Sequence, residues 1–165
     1  MARIGNTNVV RIQFDTDFNE EELTDPLDDM YRRSRDLSPV FEKMRDDLED
    51  LWSNNFMTNG LPSGGWKPLD GRYAAWKSAN FPGMPPMIRT GKLFSSLTNL
   101  RGAPNEISRT RATFGTSVKY AKFHQYGTTK MPKREIVFAP DVMRKKWQGY
   151  VKEYIRDGRV GLATS

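Results

Sequence analysis

The sequence has no cysteine and only one histidine, His124, among its 165 residues. The first absence removes disulfides, thiolate metal sites, iron–sulfur clusters and cysteine nucleophiles, and the second leaves almost no room for a histidine-based metal site. No run approaches the ~18 consecutive apolar residues that span a bilayer, and the opening Met1-Ala2-Arg3-Ile4-Gly5-Asn6 lacks the apolar stretch of a secretion signal. The expectation is a soluble protein of a reducing compartment with no membrane partner. Internal repeats and low-complexity segments are also missing. Hydrophobic residues make up 37%, low for a globular chain, while aromatics reach 12%, enough for a packed core beneath a large polar surface. The length fits a single domain over 1–165.

What is present is charge, and it is unevenly placed. The formal net charge is +6, yet residues 15–50 hold 14 Asp/Glu against 5 Lys/Arg, and residues 51–165 hold 6 against 19. An acidic pole of −9 thus precedes a basic stretch of +13. Such polarity suits a basic surface on nucleic acid, or copies of the chain joined head to tail, and both readings stay open.

Val10, Ile12 and Phe14 alternate through residues 8–15 and predict a half-buried strand. Thr24 is placed to cap a short helix with Leu27, Met30 and Tyr31 on one side. Ser38-Pro39 opens a long helix whose Val40, Phe41, Met44, Leu48, Leu51, Trp52 and Phe56 recur at three- and four-residue steps, leaving Asp46, Asp47, Glu49 and Asp50 opposite. An acidic helical region over about 15–57 is followed by a Gly/Pro-rich loop at 58–65, expected to be mobile, and a core over 66–157. Within that core a short helix near Arg72–Lys77 precedes the breakers Phe81–Pro86. Thr90 caps a third helix with Leu93, Phe94 and Leu97 inward, and Glu106–Ser108 pairs with Arg111–Thr116 as a hairpin. Tyr120–Tyr126 reads as helix and Glu135–Ala139 as strand. Pro140-Asp141 opens a last helix carrying Met143, Trp147, Tyr150, Val151 and Tyr154, ended by Asp157-Gly158 before a loose tail at 158–165. The fold class is α+β: a small, mostly antiparallel sheet packed with the long helix of the N-terminal half and the C-terminal helix.

Candidate chemistry is sparse. Arg89-Thr90-Gly91-Lys92 contains the Gly-Lys pair of a phosphate loop, but the required glycine five positions earlier is Pro86, which has no amide to donate. His124 could act as a general base, yet no cysteine or Gly-x-Ser-x-Gly serine is there for it to activate, so a structural histidine is favoured. The clustered carboxylates of 15–50 lack the calcium-loop spacing and read as a solvated face. Basic and aromatic residues interleave over Lys119–Tyr126 and Arg144–Trp147, a pattern for phosphate neutralisation and base stacking; helical spacing favours aromatics inward and charges outward instead. Trp66, Trp76, Phe81, Met84 and Met87 fall in breaker-rich segments, either as core plugs or as groups a partner covers. No catalytic residue, metal or cofactor is assigned.

Four segments follow in a telling order: Trp66-Lys67-Pro68-Leu69 with Lys77 downstream; Met87 through Leu97, containing Arg89-Thr90-Gly91 and Leu93; Phe114 through Gly127, containing Gly115-Thr116, Tyr120-Ala121, His124-Gln125 and Gly127; and Pro132 through Phe138, containing Arg134. Over residues 66–138 the chain resembles the tail-completion and virion-morphogenesis proteins of tailed bacteriophages. The resemblance implies a structural virion protein without catalysis, made in the bacterial host cytoplasm and placed at the head–tail junction. It implies a homo-oligomeric ring, six-fold, around the double-stranded DNA channel, joining tail terminator or tail-tube proteins to head-closure (stopper) proteins so that DNA passes from head to tail. A tail terminator capping the tube, and a free DNA-binding protein, are the alternatives. In this reading the motif residues are fold-makers: Gly91 permits entry to the third helix, Gly115 and Gly127 permit turns around the Tyr120–Tyr126 helix, and His124 and Gln125 bond the adjoining loop. Asp46, Asp47, Glu49 and Asp50 are the expected inter-subunit acidic face.

Overall fold

The structure, a computed structural model, describes residues 20–102 and 104–161. The strand expected over 8–15 and the end of the tail, 162–165, lie outside the described residues. Helix α1 runs from Glu20 to Arg35 and α2 from Ser38 to Met57. α3 (Gly71–Asn80) and α4 (Lys92–Thr98) come next, then the paired strands β1 (Glu106–Ile107) and β2 (Ala112–Thr113), α5 (Ala121–Tyr126) and α6 (Asp141–Asp157). None of these helices is long and apolar enough to cross a membrane.

The centre is the apolar stripe of α2. Leu48, Trp52 and Phe56 lie at four-residue steps and therefore point one way from the helix, into a cluster with Ile88, Leu93, Leu97, Leu100, Ala121 and Ile136. Each large apolar side chain removed from water here contributes about 1.5–3 kcal/mol. Phe56 meets the rings of Trp66 and Phe94 edge-on, with centroids 5.5 and 5.6 Å apart. α4 lies directly on α2, delivering Leu93 and Leu97 as the sequence spacing requires.

Several local expectations change. The helix start signal at Ser38-Pro39 holds, but the Ser38 hydroxyl does not cap α2; it donates to the Asp36 carboxylate, which also accepts the Ser38 amide at 3.1 Å. The short polar turn at Asp36 wins the hydroxyl. Thr24 lies inside α1 rather than ahead of it, because the helix-favouring Glu20-Glu21-Glu22 run carries the start upstream. Leu27 and Tyr31 face solvent, at 61% and 63% exposure, while Met30 and Arg33 form the covered side. The cause is α6: Arg33 donates from one nitrogen to the carbonyls of Ile155 and Arg156, at 2.9 and 2.8 Å, closing the free C-terminal end of that helix.

Thr90 likewise does not cap α4. Gly91 occupies the cap position in the left-handed region at φ 76°, and no side chain bonds the free amides. The loop at 58–65 contains a 3₁₀ turn, Leu61–Ser63, because Gly60 in the left-handed region folds it back so that the Gly60 carbonyl accepts amides from Ser63 and Gly65. The sheet is smaller than expected: among the described residues it is one antiparallel pair, with Glu106 opposite Thr113 and Ile107 opposite Ala112. Glu135–Ala139 is not a strand: it is irregular, with a bend at Val137. The C-terminal helix packs on α1 and α2 rather than on the sheet. The α+β class stands, with helix dominant.

Candidate functional site

The unpaired segment 134–138 organises the motif residues. A largely covered backbone without strand partners needs other groups for its amides and carbonyls, and here side chains supply them. Gln125 on α5 accepts the amides of Ile136 and Val137 and donates to the Val137 carbonyl. Trp52 on α2 donates its indole N–H to the Phe138 carbonyl at 2.9 Å. Asn55, one turn on, and Trp66 both donate to the Glu135 carbonyl at 3.0 Å. The Arg134 amide bonds the His124 carbonyl at 2.7 Å. This explains why Glu135–Ala139 is no strand: its hydrogen-bonding groups are occupied before a neighbouring strand can reach them.

Arg134 completes the frame from its own side. Its guanidinium is buried and donates to the carbonyls of Lys67 at 3.1 Å and Pro68 at 2.9 Å, tying the Trp66–Leu69 segment to the strip. Gly127 ends α5 at φ 76°, and a Cβ there would stand 2.8 Å from the Lys133 amide nitrogen, so the approach requires glycine. Gly115 differs from its expectation: its backbone is outside the left-handed region, and its role is an amide that donates to Asn105 at 2.7 Å. Thr116 shares a 2.7 Å hydrogen bond with Ser96 and accepts the Val118 amide, joining this stretch to α4. Ala121 is buried.

His124 is half-buried, with its ring edge against Tyr120. Its backbone serves the frame, but the ring Nδ1 is buried without a hydrogen-bond partner among the described residues, so the ring does not bond the loop as expected. Burial, helped by the nearby Arg134 charge, pushes its pKa below the usual histidine value and keeps the ring neutral.

The outer side of this frame is a groove of about 470 Å³. Its floor is apolar, from Leu69, Met87, Leu93, Phe94 and Met131, and Tyr73, Tyr120 and Phe123 stand along it. Arg89, Thr90, Lys92 and Lys130 add polar and basic groups. The motif residues Leu69, Arg89, Thr90, Gly91, Leu93, Tyr120, His124 and Arg134, scattered over 66 positions of sequence, therefore surround one concavity. The aromatics of α5 turn outward, contrary to the inward reading: Tyr120, Phe123 and Tyr126 are all exposed. This six-residue helix commits Ala121 to the core and Gln125 to the strip, which leaves these aromatics on its outer side. The loop aromatics divide. Trp66 and Met87 pack on the core, whereas Trp76 and Met84 are exposed, with Trp76 stacked on Tyr73.

The acidic face of α2 also divides. Asp47 is buried and accepts from the Trp147 indole at 3.0 Å and the Lys146 ammonium at 3.3 Å. Glu49 accepts the Leu100 amide at 2.6 Å. Both carboxylates hold the chain's own elements together, which corrects the four-residue solvated face. Asp46 and Asp50 remain on the outside. No group of three or more Asp, Glu or His side chains capable of holding a metal ion occurs among the described residues.

Sequence reasoning missed Asn55 as a framework donor and Lys77 as a clip. Lys77 is buried and donates to the carbonyls of Met84 at 2.8 Å and Pro85 at 2.7 Å, closing the turn after α3. Asn55 carried a usable signal, since a polar residue beside Phe56 and three positions after Trp52 falls on the buried side of α2.

No curated protein and no solved structure matches the chain. Residues 18–153 match the model of the phage virion morphogenesis family, a span that takes in the acidic helices as well as the motif-bearing core. The match extends well beyond the 66–138 stretch that carried the resemblance. The chain belongs to the phage virion morphogenesis family.

Proposed function

We propose that the chain is a non-catalytic subunit of the neck of a tailed-phage virion, a tail-completion protein that joins tail to head. Six copies form a ring around the DNA channel, with tail terminator or tail-tube proteins on one side and head-closure proteins on the other. The observation that carries this reading is family membership across 18–153. Two features support it. The polar atoms of Gln125, Trp66 and the Arg134 guanidinium bond the chain's own backbone, which suits a scaffold better than a reaction centre. The charge division between 15–50 and 51–165 suits a heterologous contact in which each subunit offers unlike surfaces to its two neighbours.

Disrupting the gene in the phage that encodes the chain, and examining the lysate by electron microscopy, tests the proposal. Separate DNA-filled heads and complete tails, converted to infectious particles by added purified protein, are expected. Normally joined particles would reject it, and heads accompanied by tails of uncontrolled length would favour the tail-terminator alternative.

A further inference from the structure

The groove beside the frame has a floor that hydrogen-bonded fold-making does not require. Arg89, Lys92 and Lys130 are exposed at its edges, while its single carboxylate, Asp70, is taken up by the free amides of Arg72 and Tyr73 at the start of α3. The ligand chemistry it fits is acidic and aromatic at once. Phosphates alone would satisfy the cations but leave the groove-facing parts of the half-buried Met87, Phe94 and Met131 uncovered. The chain carries a segment of the complementary kind: Phe14-Asp15-Thr16-Asp17-Phe18-Asn19-Glu20-Glu21-Glu22 has five carboxylates, no cation and two phenylalanines four positions apart. α1, whose first residues Glu20–Glu22 end this segment, packs on α6, whereas the groove is built by α3, α4, α5 and the 130–134 turn.

We propose that the groove of one copy receives the acidic, two-phenylalanine segment 14–22 of a second copy. The phenylalanines enter the apolar floor and the carboxylates meet Arg89, Lys92 and Lys130. Each copy then offers its segment to one neighbour and its groove to the other, the unlike-surface contact that closes a ring. The second-copy occupant rests on the ring reading above.

Full-length protein carrying p-benzoylphenylalanine in place of Phe18 is irradiated and its adducts are mapped by mass spectrometry. A product of twice the chain mass, linking the residue-18 peptide to a peptide containing Met87 or Met131, is expected. Sedimentation of the full chain provides the second readout. The triple change Arg89→Glu, Lys92→Glu, Lys130→Glu is expected to weaken self-association about tenfold or more, and adding Asp15→Lys and Asp17→Lys to restore it. An adduct within a single chain, adducts elsewhere or none, or unchanged association of the triple variant would overturn the proposal. Loss of DNA retention by the triple variant with association unchanged would instead make the groove a nucleic-acid surface. The two-chain adduct from a protein whose disruption leaves heads and tails joined would keep the contact and remove the neck reading; separated heads and tails without the adduct would do the reverse.

Discussion

The side chain of Gln125 pairs with Val137 as a neighbouring strand would. Its carboxamide oxygen accepts the Val137 amide at 2.9 Å, and its nitrogen donates to the Val137 carbonyl at the same distance. The oxygen also accepts the Ile136 amide, so one side chain satisfies three partly buried backbone groups. Gln125→Glu keeps the shape and the acceptors but turns a carboxylate toward the Val137 carbonyl. Each buried group left without a partner costs about 1–3 kcal/mol. Urea unfolding is expected to show Gln125→Glu destabilised on that scale and Gln125→Leu more severely.

Asp47 and its neighbours separate folding from assembly. Asp47→Ala leaves the Trp147 N–H without its acceptor and removes the anion beside Lys146, with an expected cost of about 1–3 kcal/mol. Asp46→Lys and Asp50→Lys alter exposed positions, at the cost of one surface ion pair between Asp46 and Arg45 at 3.1 Å, and thermal melts are expected to show a loss of no more than about 1 kcal/mol. A loss of self-association in the Asp46→Lys, Asp50→Lys pair would then report an interface rather than a damaged fold.

Much of this fold was legible in the residues. The four-residue spacing of Leu48, Trp52 and Phe56 located α2 and its buried side, and Pro140-Asp141 with Gly158 bounded α6. Both signals are local, as helix periodicity and capping geometry are. Some failures were local, such as the Ser38 hydroxyl turning to Asp36, but two share a long-range cause: a side chain bonded to distant backbone carries no local periodicity. Glu135–Ala139 has a strand's composition and loses a strand's role to Trp52, Asn55, Trp66 and Gln125, which are 11 to 86 positions away. Arg33 turned α1 on its axis for the same reason, through a contact 122 positions away. The family motifs were legible as a set, but their convergence on a groove exists only in three dimensions.

Lys77→Met removes the two donors that close the turn after α3 while keeping the apolar stem. The Met84 and Pro85 carbonyls then lose their partner, and the turn over 81–86 opens more readily. Limited proteolysis is expected to cut there faster than in the parent protein, with the fragments identified by mass.

Burial of His124 gives the stability a pH dependence whose sign follows from its lowered pKa. Its folded pKa lies below the unfolded value of about 6.5, so in the interval between them the unfolded chain binds the extra proton and the native state does not. This contribution is complete above pH 6.5 and is lost as pH falls toward the folded pKa. The difference in unfolding free energy between the parent and His124→Gln is expected to shift against the parent as pH is lowered from about 7.5 to 5. A difference that is flat over that range would mean the ring is not held neutral.

The most direct measurement is a cryo-electron map of the neck of the intact virion that encodes this chain. Six copies closed around the DNA lumen between the tail tube and the head-closure proteins, with α2, α4 and the 134–138 strip recognisable in each, are the predicted result. Purified virions without the chain, or with it at a site away from the head–tail junction, would contradict the account.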